Sequence, residues 1–168
     1  MRRLLLTLAL LSTLPAQACV VVYGSGRNSG TPEELARWND LNKVFHAAVV
    51  ARIGEAQQEP VPLWLPIGAA PPVQVGARLL AFAQDRGCRR IVDAAVFADA
   101  DTGELVLRLL LHPVLGGLGP RRDGSPMEIG APIYTSQRDF SASNLRALEA
   151  ERLKQLAREM VEELLPKL

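Results

Sequence analysis

The chain has 168 residues, a formal net charge of +1, 22% charged residues, two cysteines and two histidines. Near-neutral charge excludes a nucleic-acid or anionic-membrane partner that is held by a basic patch. The length supports one ordinary domain with a real core, and the few histidines and cysteines show no metal-ligand spacing, so neither a metal nor a cofactor is expected.

Residues 1–18 read as an export signal. Arg2 and Arg3 form a short basic region, Leu4 to Leu14 is an apolar run broken by Thr7, Ser12 and Thr13, and Ala16-Gln17-Ala18 supplies small residues for a signal peptidase. The apolar run is shorter than the roughly 20 residues a membrane-spanning helix needs. Removal of this segment leaves residues 19–168 as a single domain with net charge near zero, in a periplasmic setting. There Cys19 and Cys88 are expected to form a disulfide. The alternative is a lipid anchor on Cys19, whose preceding Ala16-Gln17-Ala18 half resembles a lipoprotein box; two unpaired thiols complete the possibilities.

Val20-Val21-Val22 is a β-branched run without polar alternation, as suits a strand buried on both faces. Gly24, Gly26 and Gly30 then mark a loop with Ser25, Arg27, Asn28 and Ser29. Thr31-Pro32-Glu33-Glu34 is a helix start with a capping box, and Leu35, Trp38, Phe45, Val49 and Ile53 make an apolar stripe that predicts a helix over 31–53. Asn42 interrupts that stripe. The apolar stretch 61–67 carries Pro60, Pro62 and Pro66 and reads as an edge strand. A second helix follows over 73–86, with Gly87 as its stop.

Residues 90–97 form a strand, Asp99 to Gly103 a turn, and Leu105 to His112 a second strand, together a β-hairpin. Residues 113–130 read as a long Gly/Pro loop, residues 132–140 as a last strand. A closing helix, capped at Ser141 or Ser143, carries the stripe Leu145, Leu148, Leu153, Leu156, Met160 and Leu164. The expected fold is α/β, bordering on α+β: a single mixed sheet in the order β-α-β-α-β-β-β-α with helices packed on it. The first and third strands should lie parallel and adjacent through a right-handed crossover. Cys19 and Cys88 sit at the starts of those strands, which also favours the disulfide.

The chemistry visible in these residues is thin. Gly24-Ser25-Gly26-Arg27-Asn28-Ser29-Gly30 departs from a dinucleotide-binding fingerprint at its third glycine position, occupied by Ser29. Asp93 stands out inside an apolar strand, where a hydrogen-bonded carboxylate is the simpler reading and a catalytic acid lacks a visible partner. Trp38 belongs to the core stripe, whereas Trp64 falls in the Pro-flanked segment and is a candidate contact. No catalytic constellation emerges.

The order of elements resembles the amino-terminal domain of TolB and the related envelope domains of CsgG and the penicillin-binding-protein activator LpoB. The matching parts are the strand and Ser/Gly loop Val20 to Gly30, the helix segment Asn42 to Val49 and the helix-to-strand run Ala77 to Val96. The turn Asp101-Thr102-Gly103-Glu104, a Leu-rich strand and the amphipathic closing helix complete the match. The Pro-rich 60–72 segment and the 113–130 loop depart from that pattern. The resemblance implies a non-catalytic envelope domain that works through protein–protein contacts, with an envelope protein as partner. Ser25, Arg27, Asn28, Trp64, Arg121 and Arg122 are the expected partner or ligand contacts. The competing expectation is a small-ligand binder or enzyme that uses the pocket at the end of the first strand, Gly24–Gly30.

Overall fold

A computed structural model describes residues 19–25, 31–65, 71–99, 101–116, 127–141 and 149–168. Its elements are β1 (Cys19–Ser25), α1 (Pro32–Glu55), β2 (Glu59–Trp64), α2 (Pro72–Arg86), β3 (Arg90–Ala98), β4 (Leu105–Leu115), β5 (Glu128–Ile129), β6 (Tyr134–Phe140) and α3 (Ala150–Leu164), followed by a 3₁₀ turn over Leu165–Lys167. The α/β fold with one mixed sheet is the one expected. The strand order is β2-β1-β3-β4, with β5 and β6 both on the outer edge of β4. Strands β1, β2 and β3 are mutually parallel, and β4 runs antiparallel to β3 and to β6.

Side-chain alternation divides the core in two. Val20 and Val22 of β1, Val92, Ala94 and Val96 of β3 and Leu105, Leu107, Leu109 and Leu111 of β4 face the layer formed by α1 and α3. Val21, Tyr23, Val61, Ile91 and Val114 face α2, which contributes Leu79 and Ala83. Both faces of β1 are therefore covered, which explains its unbroken run of β-branched residues.

Helix α1 begins where its capping box predicts. The Thr31 amide donates to Glu34 Oε2 at 2.7 Å, and the Glu34 amide donates back to Thr31 Oγ1 at 3.3 Å. Its stripe Phe45, Val49 and Ile53 is fully buried, each side chain contributing roughly 1.5–3 kcal/mol. Helix α2 stops at Gly87, whose φ of 72° is left-handed and natural for glycine. Helix α3 is held to β6 by Glu163, which accepts from the Ser136 hydroxyl at 3.0 Å and pairs with Arg138. Partial burial raises the Glu163 pKa, but Ser136 and Arg138 together hold it below the usual carboxylate range.

Three boundaries differ from the expectation. Strand β2 begins at Glu59 and includes Pro60 and Pro62, because an edge strand tolerates proline. Strand β4 runs three residues past His112 and thereby recruits the two-residue β5 from the stretch read as a loop. Helix α3 is described from Ala150; Leu145, Leu148 and the proposed caps at Ser141 and Ser143 precede it, and residues 142–148 lie outside the described residues. The export signal at 1–18 also lies outside them.

Cys19 and Cys88 are joined by a disulfide with Cα atoms 4.7 Å apart. The register brings them together, since Val20 lies opposite Arg90 and Cys19, the first residue of β1, therefore sits beside Arg89, next in sequence to Cys88.

Candidate functional site

The end of β1 is where the unusual side chains gather, and strand alternation sorts them onto two faces. Tyr23 and Ser25 project toward the α2 side, Gly24 toward α1. On the α2 side the Ser25 hydroxyl donates to Asp93 Oδ1 at 2.9 Å, across from β1 to β3. Tyr23 is buried beside them. Burial raises the Tyr23 pKa, the Ser25 hydrogen bond lowers it, and the Asp93 charge raises it again; the net shift is upward. Asp93 is thus a hydrogen-bonded carboxylate in a central strand. A lone carboxylate is far too weak a base to strip the proton from a serine hydroxyl, so the Ser25–Asp93 pair orients rather than attacks.

The other face holds a packed aromatic pair. His46 of α1 and Trp64 of β2 have ring centroids 5.8 Å apart at an interplanar angle of 49°. Both press on Gly24. A Cβ at that position would lie 2.6 Å from Trp64 Cε3 and 2.8 Å from His46 Cγ, so glycine is required by close approach. Trp64 is half-buried by this packing. His46 Nε2 lies 2.9 Å from the Val22 carbonyl oxygen. A carbonyl only accepts, so this nitrogen carries the proton and the neutral ring is the Nε2–H tautomer.

Burial drives the His46 pKa down, the bond to Val22 pulls it up, and the net shift is downward. The unfolded chain therefore takes up a proton at a higher pH than the folded one. Stability from His46 is complete above the ordinary histidine pKa of about 6.5 and is lost as pH falls below it. In chemical denaturation, the wild-type midpoint should drop between about pH 7.5 and about pH 5.5, above the carboxylate range. His46→Gln, which keeps an N–H donor, should show a flatter slope over that interval. An equal slope in both proteins would remove His46 as its source.

Asn42 proves to be a site that reading along the sequence passes over. It is fully buried on α1. Strand β1 ends at Ser25, opposite Ala95, and β3 runs on. Val96 therefore has no strand beside it on that side among the described residues. The Asn42 carboxamide fills the gap: Oδ1 accepts from the Val96 amide at 2.7 Å, and Nδ2 donates to the Val96 carbonyl at 2.7 Å and to the Trp38 carbonyl at 2.9 Å. One side chain does the work of a missing peptide group.

The remaining feature is a groove of about 530 Å³ on the outer surface between α1 and α3. Val44, Ala47, Ala48 and Ala51 form its apolar floor, and Asp40, Lys43, Lys154 and Arg158 line its rim. Arg158 pairs with Glu55 at 3.0 Å and Lys154 with Glu151 at 2.7 Å.

Of the expected contacts, Ser25 and Trp64 are both at the end of β1 but on opposite faces of the sheet. Arg27, Asn28, Arg121 and Arg122 lie outside the described residues. Among the described residues no group of three His, Cys, Asp or Glu side chains is placed to hold a metal ion, and no helix is long and apolar enough to cross a membrane.

No family model matches this sequence, and no curated protein matches it. Solved structures do show similarity. One is PelC from Paraburkholderia phytofirmans, solved as a dodecamer, with a TM-score of 0.40 and 14% identity over 88% of this chain and 85% of that one. Another is lipoprotein GNA1162 from Neisseria meningitidis, with a TM-score of 0.43 and 12% identity over 88% of this chain and 96% of that one. A third is the LpoB C-terminal domain from Salmonella enterica, with a TM-score of 0.30 and 7% identity over 77% of this chain and 87% of that one. At such scores the likeness is one of outline and assigns no role to any residue. The structures this chain is similar to thus include a lipoprotein and one of the envelope domains that its order of elements resembles.

Proposed function

We propose that the chain is exported to the bacterial periplasm, with residues 1–18 as its signal, and acts there as a non-catalytic domain that docks an envelope protein. The Cys19–Cys88 disulfide supports the compartment, because such bonds persist where the surroundings are oxidising. The observation that carries the docking role is the α1–α3 groove. Its floor is small and apolar, so a partner helix could approach to the roughly 8–10 Å of close helix packing. Its rim carries Lys43, Lys154 and Arg158 beside Asp40, and Lys154 and Arg158 also pair with Glu151 and Glu55, which lie outside the lining. The chemistry fits an amphipathic helix with an apolar stripe and acidic flanks. The polar trio Tyr23, Ser25 and Asp93 favours a second reading, a small polar ligand at the end of β1.

The test is a photo-crosslinking residue placed at Ala51 in cells that express the full sequence, with the exposed Ala81 of α2 as control position. The expected result is a discrete protein adduct from position 51 that Lys43→Glu with Lys154→Glu abolishes. No adduct above the position-81 control would refute docking in the groove. An adduct indifferent to the charge reversal would refute the acidic-helix partner.

A further inference from the structure

The two edges of the sheet are built differently. On the β2 edge, a continuous parallel ladder to β1 requires donors from β2. Pro60 and Pro62 have none, so Val61 and Leu63 turn their backbone groups toward β1 and the prolines face outward. That edge offers no N–H at either proline and is closed to strand addition.

Strand β6 forms the opposite edge and contains no proline over Tyr134–Phe140. Its backbone direction follows from its neighbours. The Asp99 amide donates to the Glu104 carbonyl and the Val114 amide to the Arg89 carbonyl, so the even-numbered residues of β4 bond to β3. The odd-numbered residues then bond to the other side, as the Gly130 amide does to Pro113 and the Ile133 amide to Leu111. In the β4–β6 register Leu107 faces Arg138 and Leu109 faces Ser136. The backbone N–H and C=O groups of Thr135, Gln137 and Asp139 therefore point away from the sheet. No other described strand pairs with them.

We propose that this edge pairs with β6 of a second copy of the chain, antiparallel about a twofold axis at Gln137. The argument for a second copy is self-complementarity, which an isologous interface demands. Antiparallel pairing centred on Gln137 sets Thr135 opposite Asp139 of the other copy and Gln137 opposite Gln137, with roughly six backbone hydrogen bonds from the outward-facing groups. Tyr134 meets Phe140 across the axis, an aromatic pair on the α3 side, and Arg138 meets Ser136. No two like charges stand directly opposite. Shifting the centre to Arg138 would set Arg138 against itself and leave its bonding groups turned inward.

The experiment is sedimentation equilibrium of the purified disulfide-bonded protein at low salt, with circular dichroism to verify the fold of each variant. The wild type should dimerise in a concentration-dependent way. Gln137→Pro removes the outward N–H at the axis without touching the ladder to β4, and should leave a monomer. Gln137→Lys and Gln137→Glu each place like charges opposite one another, and each should weaken dimerisation about fivefold or more. An equimolar mixture of the lysine and glutamate variants should restore a 1:1 dimer. A monomeric wild type, dimers that survive either charge variant unchanged, or a mixture that fails to recover would each overturn the proposal. A folded proline variant that still dimerises would do the same.

Discussion

Asn42→Leu is expected to destabilise the protein by about 3 kcal/mol, since each buried backbone group left without a partner costs roughly 1–3 kcal/mol. Leucine has the same branched skeleton of side-chain heavy atoms as asparagine and opens no cavity, so the loss would come chiefly from the Val96 amide and carbonyl. For a domain of this size the melting temperature should fall by roughly 10 °C. Asn42→Asp probes the same site from the other direction. It keeps an acceptor for the Val96 amide, removes the donor for the Val96 and Trp38 carbonyls, and buries a charge, so it should be at least as damaging as leucine. Thermal and chemical unfolding of both variants decide the matter. A leucine variant as stable as the wild type would show that Val96 finds another partner and that the carboxamide is dispensable.

The second large effect concerns the disulfide. The two cysteines are 69 positions apart, and closing a loop of that length should stabilise the fold by about 4 kcal/mol in the chain-entropy model. Cys88 is fully buried, so Cys19→Ser with Cys88→Ala avoids placing a hydroxyl in the core. The double variant should lose about that amount. Reductant should lower the wild-type denaturation midpoint to near that of the double variant and leave the double variant unmoved. A wild-type midpoint insensitive to reductant would mean that the bond does not constrain the unfolded chain.

Much of this architecture could be read from residue order. Thr31, Pro32 and Glu34 announced the start of α1 through local hydrogen bonding, which needs no tertiary context. The uninterrupted valines of β1 and the alternating leucines of β4 marked strands because burial on two faces and on one face leave different patterns. The places of Cys19 and Cys88 at two strand starts made their pairing foreseeable once those strands were taken as parallel neighbours. Other features were hidden for physical reasons. Asn42 read as a flaw in an apolar stripe because its partner, Val96, is brought beside it only by the ending of β1. Strand β5 is two residues long and exists because β4 extends beyond His112, a fact of pairing rather than of composition. Trp64 read as a surface residue of an edge strand, yet strand parity turns its ring onto Gly24 and His46. The α1–α3 groove was invisible for a similar reason: Ala47, Ala48 and Ala51 look like ordinary helix formers until α3 is laid beside them.

The disulfide lies at the same end of the sheet as a contact from the last turn of the chain, in which Arg90 of β3 donates to the Lys167 carbonyl. Residues 19 and 167 are therefore gathered at one pole of the domain. Anything attached beyond either of them departs from that pole. Strand β1 spans about 20 Å at the usual rise per residue, which sets Ser25 at the far end of the strand, with Tyr23 and Asp93 paired two residues short of it. A tether, whether a fused tag or a surface used for immobilisation, would present that far end outward and leave the long sides of the sheet, including the β6 edge, unobstructed.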